Sequence, residues 1–302
     1  MKISVILSTV NRHEILNKTL ESFSRADLTG LDVQFIVVDN GSTDKTETVI
    51  KRWQSLLPLL HLFESRPGKN VCLNKALEQA HGECFVFTDD DVIADQRWLV
   101  EMCEAAGRWP DESLFGGRIA PKFPEGTEEW LKEISAKHPV IFSEFQLDSP
   151  EGPVNPVPVG PNLMIRASVF DDFRYDETIG PSGKSYAMGS ETEFLVRVKL
   201  ALGCNYIYLP NAKVEHIIRP EQIEWSWILG RGHRAGRGLA RAIQTNRLRI
   251  AGAPWTIWLR YLKSRLSLLG KEDNFSAETF DSHWQYQKNL GCIFEYRNGQ
   301  VD

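Results

Sequence analysis

Three aspartates stand in a row, Asp89, Asp90 and Asp91, directly after the apolar run Cys84–Thr88. Carboxylates crowded at the end of a strand repel one another unless a cation or a hydrogen-bond donor lies between them. Hard oxygen ligands of this kind suit Mg2+ or Mn2+, with phosphate oxygens completing the shell. Side chains alternate along a strand, so a continued strand puts Asp89 and Asp91 on one face and Asp90 on the other. The plainer alternative is a solvated acidic turn that caps the next helix. A second acidic turn, Asp39-Asn40-Gly41-Ser42, follows another β-branched run at 33–38. A buried carboxylate at such a strand end can accept from an N–H donor, or it can close an Asx turn onto Ser42 or Thr43.

The elements that must hold these groups are legible from periodicity. Residues 3–7 form a short β-branched run, and 13–24 carry Ile15, Leu16, Leu20 and Phe23 at helical spacing. After the strand at 33–38, Ser42 or Thr43 caps a helix to about residue 57. A third strand is expected at 59–63, a helix at 70–80 stopped by Gly82, and a fourth strand at 84–88. Strict β-α alternation with short connections predicts an α/β fold, with a parallel sheet and helices on both faces. Ligands of such sheets bind at the carboxyl ends of the strands, where both acidic turns fall. The alternation fades from Gly107, and 121–161, rich in proline, glycine and acid, reads as an irregular surface excursion. Regular pattern returns at 157–165, 191–202, 205–209 and 213–217, followed by a helical stretch over 221–245.

The 302 residues carry a formal charge of −5, which argues against a general nucleic-acid binder. Five scattered cysteines without a CxxC pair point to a reducing compartment rather than a disulfide framework. The first residues, MKISVILSTVNRHE, read as a strand rather than a signal peptide, and no run reaches the roughly 18 apolar residues of a spanning helix. The expected location is cytoplasmic, with peripheral contact at the inner membrane face as an option carried by 254–270.

Six segments in order carry a family likeness: VILSTVNR, VVDNGSTDKT, NKALEQAHGECFVFTDDDV, GPNLMIRASVF, GSETEF and VEHII. With them the chain resembles the family 2 glycosyltransferases, inverting nucleotide-sugar transferases of the GT-A fold, from residue 3 to about 240. The resemblance implies a Rossmann-like, mostly parallel sheet and a division into 1–245 and a helical extension 246–302. Residues 1–106 would form the nucleotide-sugar half and 107–245 the acceptor half. It places Thr9 and Arg12 at the nucleotide, Asp39 on a uracil N–H, and Asp89 and Asp91 at a DxD motif. Asp91 would bind the metal, joined by His216 as a late ligand, with Asp89 at the nucleotide or the metal shell and Asp90 beside the nucleotide. Glu191 falls where the family carries its base, although the usual Glu-Asp pair reads Ser190-Glu191 here, which leaves Glu193 as a rival. Asn74 matches a donor-side asparagine. Leu73 stands where many relatives have arginine, so Arg66 or Lys69 is expected to substitute. The implied cofactors are Mn2+ or Mg2+ and a nucleotide sugar, with UDP favoured by Asp39. The acceptor would be a glycan or a lipid-linked hydroxyl.

Arg231, His233, Arg234, Arg237 and Arg241 form a basic stretch that reads as a contact for a diphosphate or an anionic acceptor, or as a solvated face. The segment 254–270, PWTIWLRYLKSRLSLLG, has the composition of a helix lying on an anionic membrane, or of one packed on the catalytic lobe. Two rival functions remain. A sugar nucleotidyltransferase would need a glycine-rich loop near strand one, and residues 8–14 contain no glycine. A non-catalytic nucleotide- or glycan-binding module would not need Asp91 and Glu191.

Overall fold

The computed structural model describes residues 1–183, 186–242 and 248–299. Strands β1 (Lys2–Thr9), β2 (Asp32–Asp39), β3 (Leu59–Phe63) and β4 (Cys84–Thr88) are joined by helices α1 (His13–Ser24), α2 (Thr46–Gln54) and α3 (Lys69–Leu77). The expected alternation is therefore present. After β4 come β5 (Val92–Ala94), α4 (Trp98–Arg108), β6 (Leu114–Lys122), α5 (Glu129–Lys137), β7 (Gly152–Val154) and β8 (Asn162–Arg166). Then follow α6 (Val169–Asp172), α7 (Ser190–Leu202) and β9 (Tyr206–Ile217). The C-terminal part holds α8 (Trp225–Ala242), a hairpin of β10 (Arg249–Ile250) and β11 (Ala253–Pro254), α9 (Trp255–Ser267) and α10 (Phe280–Asn298).

Chain contacts divide the molecule into two interleaved units. The first comprises 1–122, 142–177 and 190–217, and it contains the whole large sheet, ordered β3-β2-β1-β4-β8-β6-β9-β5 with β7 beside β9. β1 runs parallel to both β2 and β4, and β2 parallel to β3. Antiparallel neighbours begin beyond β4, where β8 pairs with it. Alternation sorts the strand side chains into two cores. Ile3, Val5 and Leu7 pack with α1 and α4 on one face, whereas Ile6 packs with α3 and α7 on the other. The order 3-2-1-4 reverses direction at β1, so the carboxyl ends of β1 and β4 flank a switch point, the place where such sheets open a crevice.

Several sequence expectations need correction. The excursion 121–161 is not wholly irregular, since it contains α5 and β7. The strands expected at 205–209 and 213–217 are one strand, β9, whose pairing with β6 shifts register between Gly117 and Arg118. Helix α10 falls in the helical extension expected over 246–302, although its bounds were not signalled. The expected helix end at Thr245, and with it the division between 245 and 246, lies outside the described residues.

The second unit comprises 123–141, 178–189 and 218–302. Its frame is the crossing of α8 with α10. A Cβ on Gly236 would strike the Lys288 carbonyl, and one on Gly291 the His233 carbonyl, so the two backbones touch where only glycine fits. Between the helices, Glu295 is fully buried and accepts from Arg237 at 2.6 Å and Arg241 at 2.5 Å. A buried carboxylate held by two guanidiniums is compensated only while both remain. The guanidiniums of Arg237 and Arg241 are therefore turned to Glu295. The ring of Trp227 lies under the guanidiniums of Arg231 and Arg234.

Candidate active site

The candidate groups gather at the carboxyl ends of β1 and β4, within the first unit. β4 ends at Thr88, and Asp89 to Asp91 form a turn before β5. The alternation expected of a continued strand therefore does not apply, and the grouping differs from the expected one. Asp90 and Asp91 share a partner, while Asp89 faces another. The Arg12 guanidinium lies 2.7 Å from Asp90 Oδ1 and 3.3 Å from Asp91 Oδ2. Thr9 Oγ1 donates to Asp90 Oδ2 at 2.6 Å. Thr19, about two helical turns along α1 from Arg12, clamps the turn backbone by donating to the Asp90 carbonyl and accepting from the Val92 N–H. Asp90 and Asp91 are both buried. Burial pushes the Asp90 carboxyl above its ordinary value, which Arg12 opposes and Asp91 reinforces. Asp90, chiefly, and Asp91 hold the Arg12 proton harder than usual.

Pairing of β5 with β9 sets Val92 opposite His216, which brings the imidazole to Asp91. His216 Nε2 lies 3.3 Å from Asp91 Oδ1. Its Nδ1 is 2.7 Å from the Phe142 carbonyl, an acceptor only, so Nδ1 carries a proton and Nε2 is aimed at Asp91. Burial would lower the imidazole's pKa, but Asp91 more than reverses this and raises it.

Across the site, α3 and α7 supply the remaining charges. Lys69, in the first turn of α3, places its ammonium 2.6 Å from Asp89 Oδ1 and 2.9 Å from Glu191 Oε1. One cation thus joins the acidic turn after β4 to the start of α7. Burial would lower the Lys69 pKa, but Asp89 and then Glu191 raise it. Burial likewise favours a neutral Glu191, yet Lys69 overcomes this and holds the carboxyl at about 2. Ser190 Oγ donates to Glu191 Oε2 at 2.9 Å, so the serine in place of the usual acid fixes the rotamer of its neighbour. Glu193 instead pairs with Arg197 at 2.6 Å along the same helix. Of the two glutamates, Glu191 is the one that shares a partner with Asp89.

Asp39 is buried at the end of β2, in register with Thr9. Its Oδ1 accepts from the Ser42 N–H at 2.9 Å, the Asx turn that spacing allowed. The Asn11 N–H donates to Ser42 Oγ, and the Thr43 N–H donates to Asn11 Oδ1, which ties this loop to the one after β1. Arg66 and Asn74 lie apart from the aspartates. The Arg66 guanidinium is 3.1 Å from Glu177, and the Asn74 amide donates to the Tyr175 carbonyl and to Glu177. Leu73 is buried in the core, one turn along α3 from Lys69.

Two positioning features escaped the sequence reading. A Cβ on Gly160 would come within 2.6 Å of Glu191 Oε1, so only glycine leaves room for this carboxylate. Asn162, fully buried, accepts from Trp98 Nε1 at 2.7 Å and donates to the carbonyls of Arg118 and Ala212. The segment GPN was recognised as a motif, but nothing in the one-dimensional pattern showed what its glycine faces.

Residues 4–174 match the family model described as Glycosyl transferase family 2, and the chain belongs to this family. Its fold is GT-A. A mannosyltransferase of Pyrobaculum calidifontis, solved with GDP-Man and Mn2+, superimposes with a TM-score of 0.66 at 16% identity, over 99% of this chain and 88% of that one. Residues 1–349 of Staphylococcus aureus TarS with UDP-GlcNAc give 0.56 at 17%, over 100% and 93%. In sequence, the glucosyl-dolichyl phosphate glucuronosyltransferase of Haloferax volcanii is 23% identical over 242 residues, 76% of this chain and 74% of the relative. The S. aureus poly(ribitol-phosphate) beta-N-acetylglucosaminyltransferase TarP is 30% identical over 130 residues, 40% of each chain. No described helix is long and apolar enough to cross a membrane.

Proposed function

We propose that this glycosyltransferase moves a sugar from a nucleoside diphosphate, UDP above others, onto a hydroxyl of a glycan or lipid-linked acceptor, with inversion at the anomeric carbon. The observation that carries the reading is the Lys69 bridge, which sets Glu191 beside the acidic turn at the switch point of the sheet. Lipid-linked and polymer acceptors in the names of the relatives support the acceptor class. Pathways that build surface polysaccharide or glycolipid need such a reaction.

The residues also fit a divalent cation. Adjacent ligands at about 2.1 Å around an octahedral ion stand about 3 Å apart. Asp91 Oδ1 and His216 Nε2 are 3.3 Å apart. No cluster of three acidic, histidine or cysteine ligands occurs among the described residues, so water and diphosphate oxygens would supply the other positions. A bound Mn2+ or Mg2+ would neutralise the departing diphosphate.

The chain's own groups do the rest. Thr9, Arg12, Asp39 and Asp89 would hold and orient the nucleotide. In the ligand-free site Lys69 suppresses the basicity of Glu191. An arriving diphosphate offers the ammonium a stronger partner, and a Glu191 released from Lys69 becomes a better base because burial then dominates. Glu191 takes the acceptor hydroxyl's proton as that oxygen attacks the anomeric carbon opposite the leaving diphosphate, and one displacement inverts the centre. A thermal-shift screen of nucleotide sugars with and without Mn2+ tests the donor class. The true donor, at about a hundredfold excess over Kd, should raise Tm by about 5 °C with Mn2+ present. If no nucleotide sugar raises Tm under either condition, the donor reading fails.

A further inference from the structure

The C-terminal unit exposes a face that its own fold leaves unused. Helix α9 presents Trp255, Leu259, Leu262 and Leu266 to solvent at 43%, 54%, 52% and 65% exposure. Their spacing of four, three and four residues sets them within about 60° of one another around the helix, at about 100° per residue. Ile257 and Ser264 lie on the opposite side, where the helix packs on α10, with Ser264 accepting from Asn289. Leu269, in the turn that follows, is also exposed. The amphipathic pattern is thus doubled. One apolar side enters the core, and a second, narrower stripe faces water, where a water-soluble monomer seldom keeps one.

Charge indicates what covers the stripe. Lys263 and Arg265 flank it about 50° to either side, and Arg260 follows on the Lys263 side. Arg265 shares its charge with Glu272, 3.0 Å away, while Lys263 and Arg260 are exposed. From Trp225 to Lys271 the sequence contains ten lysines and arginines and no acid, in a chain whose net charge is −5. A second copy of the same face would bring these cations against themselves. An anionic lipid surface takes the leucines into its acyl boundary and meets the cations with phosphate.

We infer that α9 docks its outer face, Trp255-Leu259-Leu262-Leu266, on the surface of an anionic bilayer, lying in the interface rather than crossing it. This does not rest on the transfer reaction, because binding is read without turnover.

Flotation of the full chain with phosphatidylcholine vesicles, with or without phosphatidylglycerol, tests it. The wild type should float with the anionic vesicles, and salt should weaken the binding. Leu259→Gln/Leu262→Gln/Leu266→Gln should reduce binding at least about tenfold while Tm is kept, since all three side chains are already in solvent. Arg260→Gln/Lys263→Gln, which leaves the apolar stripe intact, should lower binding to anionic vesicles by about tenfold. Failure of the wild type to float with the anionic vesicles, or flotation at the wild-type level by either variant, overturns the inference. So does a dimer in solution that the leucine substitutions dissolve while the wild type ignores vesicles.

Discussion

At the scale of the residue, the decisive pair is Lys69 and Glu191. A carboxyl held at about 2 is a poor proton acceptor for the proposed role of base, and the main cause is the Lys69 ammonium 2.9 Å away, with the Ser190 hydroxyl adding to it. Lys69→Ala removes that restraint. The acid limb of the kcat/KM profile should move to higher pH, and donor affinity should fall about tenfold as a phosphate partner is lost. An acid limb that stays in place would show that Lys69 does not govern the base. The same shift makes a statement about folding. The Glu191 pKa is depressed from 4.5 to about 2, so its contribution is present above pH 4.5 and disappears as pH falls through the lower value. Over that window the wild type should lose on the order of 2 kcal/mol more than Glu191→Gln, measured by urea unfolding at stepped pH.

At the scale of the element, the site depends on how closely α7 and the segment before β8 approach. Gly160→Ala places a methyl against a side-chain carboxylate, not against backbone, so Glu191 can move aside. Turnover should drop about tenfold with little change in Tm, because a displaced base loses its geometry without opening the core. Gly236→Ala is the opposite case. The added methyl meets the α10 backbone, and the α8–α10 crossing must separate, which should cost about 3 kcal/mol or more and appear as a lowered Tm. These contrasts show what a sequence discloses. The β1-to-β4 half was legible because its apolar runs alternate with helices in a fixed rhythm. Beyond Gly107, β9 was read as two strands because Pro210 and Asn211 interrupt the pattern, although Val214 and Ile207 belong to one core. Helix α10 was legible only as part of a helical extension, without bounds, because the residues it buries, among them His283, Asn289 and Glu295, include polar groups that find partners only in three dimensions. The candidate site residues could be named from motifs. The Asp90–Asp91 grouping around Arg12 and the Lys69 bridge could not, because both depend on where the strand stops.

At the scale of the whole molecule, charge and chemistry are unevenly distributed. The sheet-bearing unit holds every acid and base assigned to the reaction, and the acid-free run from Trp225 to Lys271 belongs to the other unit. An overall charge of −5 hides that contrast, so composition alone pointed only away from nucleic acid. A protein divided in this way should lose sugar transfer when one carboxylate of the sheet-bearing unit is neutralised, with its fold and its grip on the donor intact. Glu191→Gln measures this most directly. Acceptor-dependent release of nucleoside diphosphate should fall about 100-fold or more, while the donor's thermal shift in the presence of Mn2+ stays at the wild-type value. Transfer at close to the wild-type rate by this variant would contradict the account.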